Sequence, residues 1–239
     1  MQEAQYEFPY HYLDVAVGSY RLRLAEYVSL LDVVTERVRA LATTVLDAAC
    51  GDGRLCYELR RAGLEVTGVD YSVRAIAFAR AFNPGVEFAV ADLTHLDLGR
   101  HFDTVVLMET LEHLPPDQVP AVLERVAGHL QRGGHLVVTV PSDNVPVTAK
   151  HYQHFSPAML TDVLSPWFTV TRLEGYHLQG RRLRAFHVAR RLAYLLAPLA
   201  ERSLAARRAM EWPNRYYARR LALGHPDQAG GLIATCIMR

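Results

Sequence analysis

The stretch Val45-Leu46-Asp47-Ala48-Ala49-Cys50-Gly51-Asp52-Gly53-Arg54 decides the fold. A short apolar run leads to Asp47 at a strand end, a turn with two glycines follows, and a helical pattern begins at Arg54. Glycines between a strand and a helix let the backbone approach a ligand closely. We therefore predict that this turn lies at the ligand-binding edge of a sheet.

Segments with strand and helix patterns alternate on both sides of this turn. Strands are predicted at 44–49, 66–70, 86–91, 102–108, 135–140, 168–173 and 231–238, and helices at 19–41, 54–62, 72–82, 116–130 and 156–164. Such alternation is typical of βαβ units and a parallel sheet. We predict an α/β, Rossmann-like fold with helices on both faces of a seven-stranded, mostly parallel sheet. The last strand is expected to run antiparallel, so that strands 168–173 and 231–238 return across the insertion as an antiparallel pair at a sheet edge.

The 239 residues are predicted to form one domain in four parts. An N-terminal helical cap covers 1–41, the core 42–177, an arginine-rich helical insertion 178–230 and the final strand 231–239. The aromatic N-terminal segment is expected to fold over the ligand mouth, with Tyr12 or Tyr20 near the ligand. The insertion is expected to kink at Pro198.

Composition restricts the classes of protein to consider. The net charge is +1, half of the residues are hydrophobic and 21% are charged, which is ordinary globular composition. Three cysteines at unrelated spacing predict neither a disulfide framework nor a zinc site. The first residues lack a signal-peptide pattern, and no apolar run reaches the length of a membrane span. We therefore expect a cytoplasmic protein.

The acids around the glycine turn indicate the charge of its ligand. Asp47 and Asp52 stand where a pyrophosphate would bind, and Cys56 occupies the position of the third glycine in a dinucleotide motif. Acids there favour a ligand that carries an ammonium and a sulfonium. Asp70 ends the next strand, 23 residues after Asp47, where an acid accepts ribose hydroxyls.

Five motifs between residues 40 and 175 carry a family resemblance. In order they are VLDAACGDG, VTGVDYS, VADLTHLDL, FDTVVLMETLEHLP and LQRGGHLVVTVPS. Together they resemble the class I S-adenosylmethionine (SAM)-dependent methyltransferases. They are most similar to the small-molecule branch, which includes ubiquinone-pathway O-methyltransferases and glycan- and natural-product-tailoring enzymes. Ala49 departs from the family, which usually has a glycine at this position.

The resemblance implies SAM as cofactor and S-adenosylhomocysteine as product. It implies cofactor contacts for Asp47, Ala49, Gly51, Gly53, Asp70, Tyr71, Asp92, Leu93, Met108 and Arg23. Asp47 and Gly51 would hold the methionine end, and Asp70 the ribose. Tyr71, Asp92 and Leu93 would surround the adenine, Met108 would lie near the sulfonium, and Arg23 would reach the carboxylate. Two alternatives stay open, since Asp92 also suits a helix N-cap and Met108 a core position.

Two segments supply candidate catalytic residues. Glu109 and His113 follow the fourth strand, while His151 and His154 follow the fifth, so both pairs are expected at the ligand edge. Methyl transfer to a hydroxyl needs a base, and a histidine suffices for a phenol. The three histidines compete for this role, and each also suits a structural role in its loop.

The same residues include ligand types for a divalent metal. Glu109, Glu112 and His113, with a histidine from 151–154, resemble the magnesium site of small-RNA 3′-end 2′-O-methyltransferases. However, the downstream histidine spacing is too short, and similar motifs occur in metal-free relatives. We therefore predict no metal.

The predicted function is transfer of a methyl group from SAM to a small molecule, most simply to a hydroxyl of a secondary metabolite, sugar or quinone-type substrate. A metal-assisted RNA ribose 2′-O-methyltransferase and a non-catalytic SAM-binding partner protein are the alternatives. The insertion, with eleven arginines and three acids, is expected to mediate a homodimer, to act as a lid, or to contact a membrane surface peripherally. Nucleic acid is not the expected partner.

Overall fold

A computed structural model describes residues 8–16, 24–195 and 203–239. Its strands are β1 (Thr44–Ala48), β2 (Glu65–Asp70), β3 (Glu87–Val90), β4 (Phe102–Met108), β5 (Leu130–Pro141), β6 (Phe168–Leu178), β7 (Leu223–Gly224) and β8 (Ala229–Met238). Its α-helices are α1 (Leu13–Ala16), α2 (Ala25–Arg39), α3 (Arg54–Arg61), α4 (Val73–Phe82), α5 (Val119–Gly128), α6 (Pro157–Leu164), α7 (Arg181–Tyr194) and α8 (Leu204–Arg220).

The strands form one sheet in the order β3-β2-β1-β4-β5-β8-β6-β7. The strands from β3 to β5 pair in parallel, and β8 runs antiparallel to both of its neighbours. The predicted Rossmann-like, mostly parallel sheet with an antiparallel last strand is therefore confirmed. The described sheet has eight strands because the two-residue β7 pairs with β6 at Gly175 and Tyr176.

The two strands that flank the insertion pair antiparallel towards one end of the sheet, as expected, and only the two-residue β7 lies beyond them. β8 lies inside the sheet, where Leu232 is opposite Val140 of β5 and Gly175 of β6. Every residue from Gly231 to Cys236 is buried. A strand that is covered on both faces reads as a continuous apolar run, as this one does. Its burial follows from its place between two longer strands.

Helices cover both faces of the sheet, as predicted. On one face, Val122 and Val126 of α5 and Leu160 of α6 pack into a core with Leu46 and Leu107. On the other face, α2 and α3 pack against alternate strand residues such as Val45, Val106 and Val137. Opposite faces take alternate residues of one strand, as the pleat requires.

The cap and the insertion are described in part. Of the predicted helix 19–41, α2 is described, whereas Tyr20 and Arg23 lie outside the described residues. The expected kink at Pro198 also lies outside them. In the described part of the insertion, α7 and α8 pack together through a small core that includes Phe186 and Tyr217. Among the described helices, none combines the length and apolarity needed to cross a bilayer.

Candidate active site

The glycine turn joins β1 to α3 through three residues in the left-handed backbone region. Gly51 has a φ of 56° and Gly53 a φ of 80°, which glycine adopts without strain. Ala49 has a φ of 66° although it carries a Cβ. Left-handed backbone at alanine costs about 1 kcal/mol or more. The residue that departs from the family pattern is therefore the strained member of the turn.

Gly53 is also required by helix packing. A Cβ at this position would lie 2.9 Å from the Cβ of Ala79 and 2.9 Å from Nδ2 of Asn83 on the α4 side. These distances are shorter than real Cβ contacts. Gly53 therefore lets α4 approach the turn, in addition to any approach of the turn to a ligand.

Asp70 connects the ends of β1 and β2. Its Oδ2 accepts a hydrogen bond from the Gly51 amide at 2.9 Å, and its Oδ1 accepts one from the Ser72 amide at 2.9 Å. The residue is 4% exposed. The glycine turn and the predicted ribose acceptor are thus fixed to each other.

Asp47 is a buried acid directly before the turn. It is 1% exposed, and the Cys56 thiol donates a hydrogen bond to its Oδ2 at 3.1 Å. Burial, and secondarily the negative charge of Asp70, raise the pKa of Asp47 to about 7. A cation that approached this carboxyl would favour its ionised form.

Asp52 has a different role from the one its sequence position indicated. Its Oδ2 pairs with Nδ1 of His11 at 2.9 Å, and its backbone oxygen accepts a bond from the Tyr12 hydroxyl at 3.3 Å. Asp14 also pairs with Arg54 at 3.0 Å. The N-terminal segment 8–16 therefore folds against the outside of the turn, and Asp52 binds this segment.

The predicted adenine residues follow β2 and β3. Tyr71 is 48% exposed, and Leu93 is buried in the core. Asp92 caps a short helix, because its Oδ1 accepts bonds from the Thr94 amide at 2.8 Å and hydroxyl at 2.7 Å. These bonds lower the pKa of Asp92. Met108 is the last residue of β4 and is half-buried against the core. Asp92 thus acts as a helix N-cap and Met108 as a core residue, and neither role prevents contact with a ligand.

Glu109 follows β4 with a φ of 51° and is held by two residues that sequence reasoning missed. Its Oε1 accepts bonds from the Tyr176 hydroxyl at 2.6 Å and the Thr139 hydroxyl at 2.8 Å. Burial raises the pKa of Glu109. The sequence offered a signal for Thr139, which is a lone hydroxyl residue in an apolar strand. It offered none for Tyr176, which lies beyond the predicted end of β6. A Cβ at Gly231 would overlap the Tyr176 ring, so glycine is required opposite it.

The histidines form a chain whose tautomers are set by backbone carbonyls. Nδ1 of His154 lies 2.9 Å from the Val145 oxygen, which only accepts, so this nitrogen carries the proton. Nε2 of His154 then accepts from Nδ1 of His151 at 2.8 Å. In the same way, Nδ1 of His113 donates to the Lys150 oxygen at 3.1 Å. His113 and His151 therefore keep a lone pair on Nε2, whereas His154 uses both nitrogens inside the chain.

Glu112 lies beside these histidines and is 1% exposed. Its Oε2 has no hydrogen-bond partner among the described residues. Burial and the neighbouring Glu109 raise the pKa of Glu112 well above its ordinary value. A protonated, buried carboxyl of this kind is a hydrogen-bond donor rather than a charged ligand.

One group in the described part of the chain offers metal ligands. Glu112, His113 and His151 each present one ligand atom, and these atoms lie within 4.8 Å of one another. Oε1 of Glu112 lies 3.9 Å from Nε2 of His113. Bonds of about 2.1 Å in tetrahedral geometry place ligand atoms roughly 3.4 Å apart. The Glu112–His113 pair is thus wider than tetrahedral coordination requires.

Comparison with known proteins gives one family and several relatives. Residues 45–134 match the model of a methyltransferase domain. The chain is 35% identical over 104 residues to the ubiquinone biosynthesis O-methyltransferase of Bradyrhizobium sp. (strain ORS 278), which covers 42% of this chain and 40% of that protein. It is 30% identical over 168 residues to the protein of the same name from Rhodopseudomonas palustris (strain BisB5). These 168 aligned residues cover 66% of this chain and 64% of that protein. The chain thus spans less than two thirds of these relatives.

Solved structures show the same fold at lower identity. The PH0226 protein from Pyrococcus horikoshii OT3 is similar with a TM-score of 0.60 and 23% identity, over 73% of this chain and 93% of that one. The magnesium protoporphyrin IX methyltransferase ChlM from Synechocystis PCC 6803, with bound S-adenosylhomocysteine, is similar with a TM-score of 0.56 and 18% identity, over 90% and 86% of the two chains.

Proposed function

We propose that this chain, in which residues 45–134 match a methyltransferase domain, is a class I SAM-dependent methyltransferase that transfers the methyl group of SAM to a hydroxyl of a small molecule. One observation carries the proposal. Asp47 and Asp70, whose carboxyls suit a cationic nucleoside, lie in the last residues of β1 and β2. His113 and His151, whose lone pairs suit an acceptor proton, lie in the loops after the parallel strands β4 and β5 of the same sheet. The carboxyl ends of such strands share one edge, where ligands bind.

The residues before and after the glycine turn support binding of SAM. Asp70 would accept both ribose hydroxyls, and Asp47 with the Gly51 backbone would hold the methionine ammonium. Tyr71 and Asp92, which are exposed at the ends of β2 and β3, would contact the adenine. Asp47 is a buried acid directly before the turn, where the backbone donors of a dinucleotide site would hold phosphate. A carboxyl at this position supports a sulfonium cofactor over a pyrophosphate one.

The histidine chain supports a hydroxyl acceptor. SAM supplies an activated methyl group, so the protein must position the acceptor oxygen and remove its proton. We assign the base to Nε2 of His151. Burial and the neighbouring charges of His113, His154 and Lys150 lower the pKa of His151 to about 4, so the ring is neutral near pH 7. His154 holds this ring in the required tautomer. Glu109, anchored by Tyr176 and Thr139, would form a wall of the same site.

The proposal is tested by binding and turnover measurements. Purified protein is titrated with SAM and, separately, with NADH in a calorimeter, and is then incubated with SAM and a panel of phenolic, sugar and quinol acceptors. We expect heat with SAM only, and S-adenosylhomocysteine with at least one acceptor. SAM binding without product on any acceptor supports the non-catalytic partner instead, and tight NADH binding without SAM binding contradicts the proposal.

SAM affinity should rise with pH through about pH 7. The cofactor ammonium pairs with the ionised form of Asp47, and the pKa of about 7 leaves only about a tenth of the free protein ionised at pH 6. We expect the Kd to fall up to about tenfold between pH 6 and pH 8, with proton release on binding below pH 7. Calorimetry in buffers of different ionisation enthalpy measures both.

The matched control is Asp47→Asn, which keeps the shape and removes the titration. It should bind SAM more weakly, with a Kd that is independent of pH over this range. If the unsubstituted protein shows the same flat profile, Asp47 does not contact the cofactor ammonium.

Chelation should leave turnover unchanged. Burial and the neighbouring Glu109 raise the pKa of Glu112 well above its ordinary value, which disfavours the charged carboxylate that a divalent cation needs as a ligand. We expect equal rates of S-adenosylhomocysteine formation after dialysis against EDTA and after addition of Mg²⁺. Loss of activity in EDTA with recovery in Mg²⁺, together with methylation of RNA, would support the RNA ribose methyltransferase alternative.

The organisation of the chain remains part of the proposal. All described strands belong to one sheet, which supports a single domain over 1–239. Because α7 and α8 follow β6, beyond which only the two-residue β7 continues the sheet, the insertion lies where it can serve as a contact surface or a lid. A homodimer through the insertion and a cytoplasmic location both stay predictions.

A further inference from the structure

The helix α7 has one buried side. Leu183 and Phe186 are 7% and 1% exposed, and they pack with Tyr217 and Leu221 in the small core of the insertion. On the side that faces α2, the positive charge of α7 is balanced by an acid of α2. Glu26 lies 3.5 Å from Arg190 and 3.7 Å from His187. This half of the helix is therefore satisfied within the chain.

The opposite side of α7, which we name the outward face, carries aliphatic residues that no described part of the chain covers. Val188, Leu192 and Leu195 are 59%, 60% and 74% exposed. Their spacing of four and three residues places them in one stripe along the helix. A contiguous exposed aliphatic stripe on a helix indicates an interaction surface, in contrast to single exposed apolar residues.

Arginines surround this stripe. Arg181, Arg184 and Arg191 are exposed, and helical spacing places them on or beside the outward face. Residues 181–195 contain no acid. Long arginine side chains keep their charge in water or at a headgroup while their stems lie along apolar surface. The outward face therefore combines an aliphatic centre with a positive rim, and no ion pair to these three arginines is found among the described residues.

This combination distinguishes between the partners that could cover it. A second copy docking through the same face would place arginines opposite arginines, which opposes symmetric pairing. Single-stranded nucleic acid binds through aromatic platforms, and the stripe is aliphatic. An anionic bilayer matches both properties, because its acyl boundary accepts aliphatic side chains and its headgroups attract arginine.

We propose that the outward face of α7 binds the surface of an anionic lipid bilayer, with Val188, Leu192 and Leu195 at the acyl boundary and Arg184 and Arg191 at the headgroups. The helix would lie in the plane of the interface. The proposal does not rest on methyl transfer, since it concerns a helix beyond the segment that matches the methyltransferase model.

Sedimentation with vesicles tests the proposal. The full chain is mixed with vesicles of phosphatidylcholine alone or of phosphatidylcholine with phosphatidylglycerol, at low and at high salt. We expect binding to the anionic vesicles, at least tenfold weaker binding to the neutral ones, and strong weakening by salt. Equal binding to both vesicle types, or no binding to the anionic ones at low salt, would overturn the proposal.

Two pairs of variants separate the outward face from the net charge. Arg184→Glu with Arg191→Glu should reduce binding to anionic vesicles at least tenfold. Arg125→Glu with Arg132→Glu changes the charge equally at exposed positions on α5 and β5, and should leave binding within twofold. Leu192→Ser tests the stripe and should weaken binding without changing the thermal midpoint.

If both arginine pairs weaken binding equally, the attraction is not local to α7 and the proposal fails. It also fails if Leu192→Ser instead converts a dimer into a monomer in light scattering, or if the outward face protects single-stranded RNA but does not bind vesicles.

Discussion

Asp70→Ala is expected to weaken SAM binding at least about 100-fold. Alanine removes the acceptor proposed for two ribose hydroxyls, and it also leaves the amides of Gly51 and Ser72 without the carboxylate that now holds them. Each buried group that loses its partner costs roughly 1–3 kcal/mol, and about 2.7 kcal/mol corresponds to 100-fold. Titration calorimetry with SAM measures the change directly.

A matched control is Asp97→Ala. Asp97 also accepts a bond from a backbone amide, that of Gly99 at 3.0 Å, but it lies on an exposed loop after β3. Its loss should leave the Kd for SAM within twofold. Asp70→Asn keeps an acceptor oxygen, so its Kd for SAM should lie between the Kd values of the two alanine variants. If Asp70→Ala and Asp97→Ala bind SAM equally well, Asp70 is not the ribose acceptor.

Periodicity predicted the elements because their causes are local. The apolar runs before Asp47 and Asp70 end where their strands end, and the glycine turn follows within a few residues. The left-handed backbone at Gly51 and Gly53 is a property of glycine itself. Sequence patterns therefore predicted the turn and the positions of Asp47 and Asp70 at the ends of β1 and β2, which the proposal assigns to the cofactor.

The position of β8 depends on pairing between distant parts of the chain. The apolar residues of β8 were compatible with both an edge and an interior place, and the sequence predicted only its antiparallel return beside the strand before the insertion. Its place between β5 and β6 follows from registers with two strands, one of which lies about a hundred residues away. No local pattern carries that information.

The acceptor side depended on contacts of the same distant kind. Tyr176 reaches Glu109 across 67 positions of the chain, and His11 reaches Asp52 across 41. The three histidines were equivalent as residue types. They became distinguishable once the carbonyls of Val145 and Lys150 set the tautomers, which removed His154 from the candidates for the base and gave it an orienting role.

His151→Ala is expected to lower kcat about 100-fold or more while the Kd for SAM stays within twofold. A positioned base contributes about 10² to 10⁴ in rate. The Nε2 lone pair of His151 is directed away from its bond to His154, whereas the cofactor residues lie on other loops. Single-turnover formation of S-adenosylhomocysteine, with the best acceptor of the panel, gives kcat, and calorimetry gives the Kd.

Three further substitutions decide what the loss means. His135→Ala removes a histidine at the start of the parallel part of β5, outside both loops, and should leave kcat within twofold. His154→Gln keeps side-chain hydrogen-bonding groups near Val145 and His151, so it should lose less activity than His154→Ala if the role of His154 is to orient the base. His113→Ala should lower kcat less than His151→Ala, because His151 is the ring fixed by a second histidine.

If His151→Ala has the same kcat as the His135→Ala control, the base lies elsewhere. If His113→Ala shows the larger loss instead, the assignment of the base to His151 is wrong, although methyl transfer to a hydroxyl would still stand.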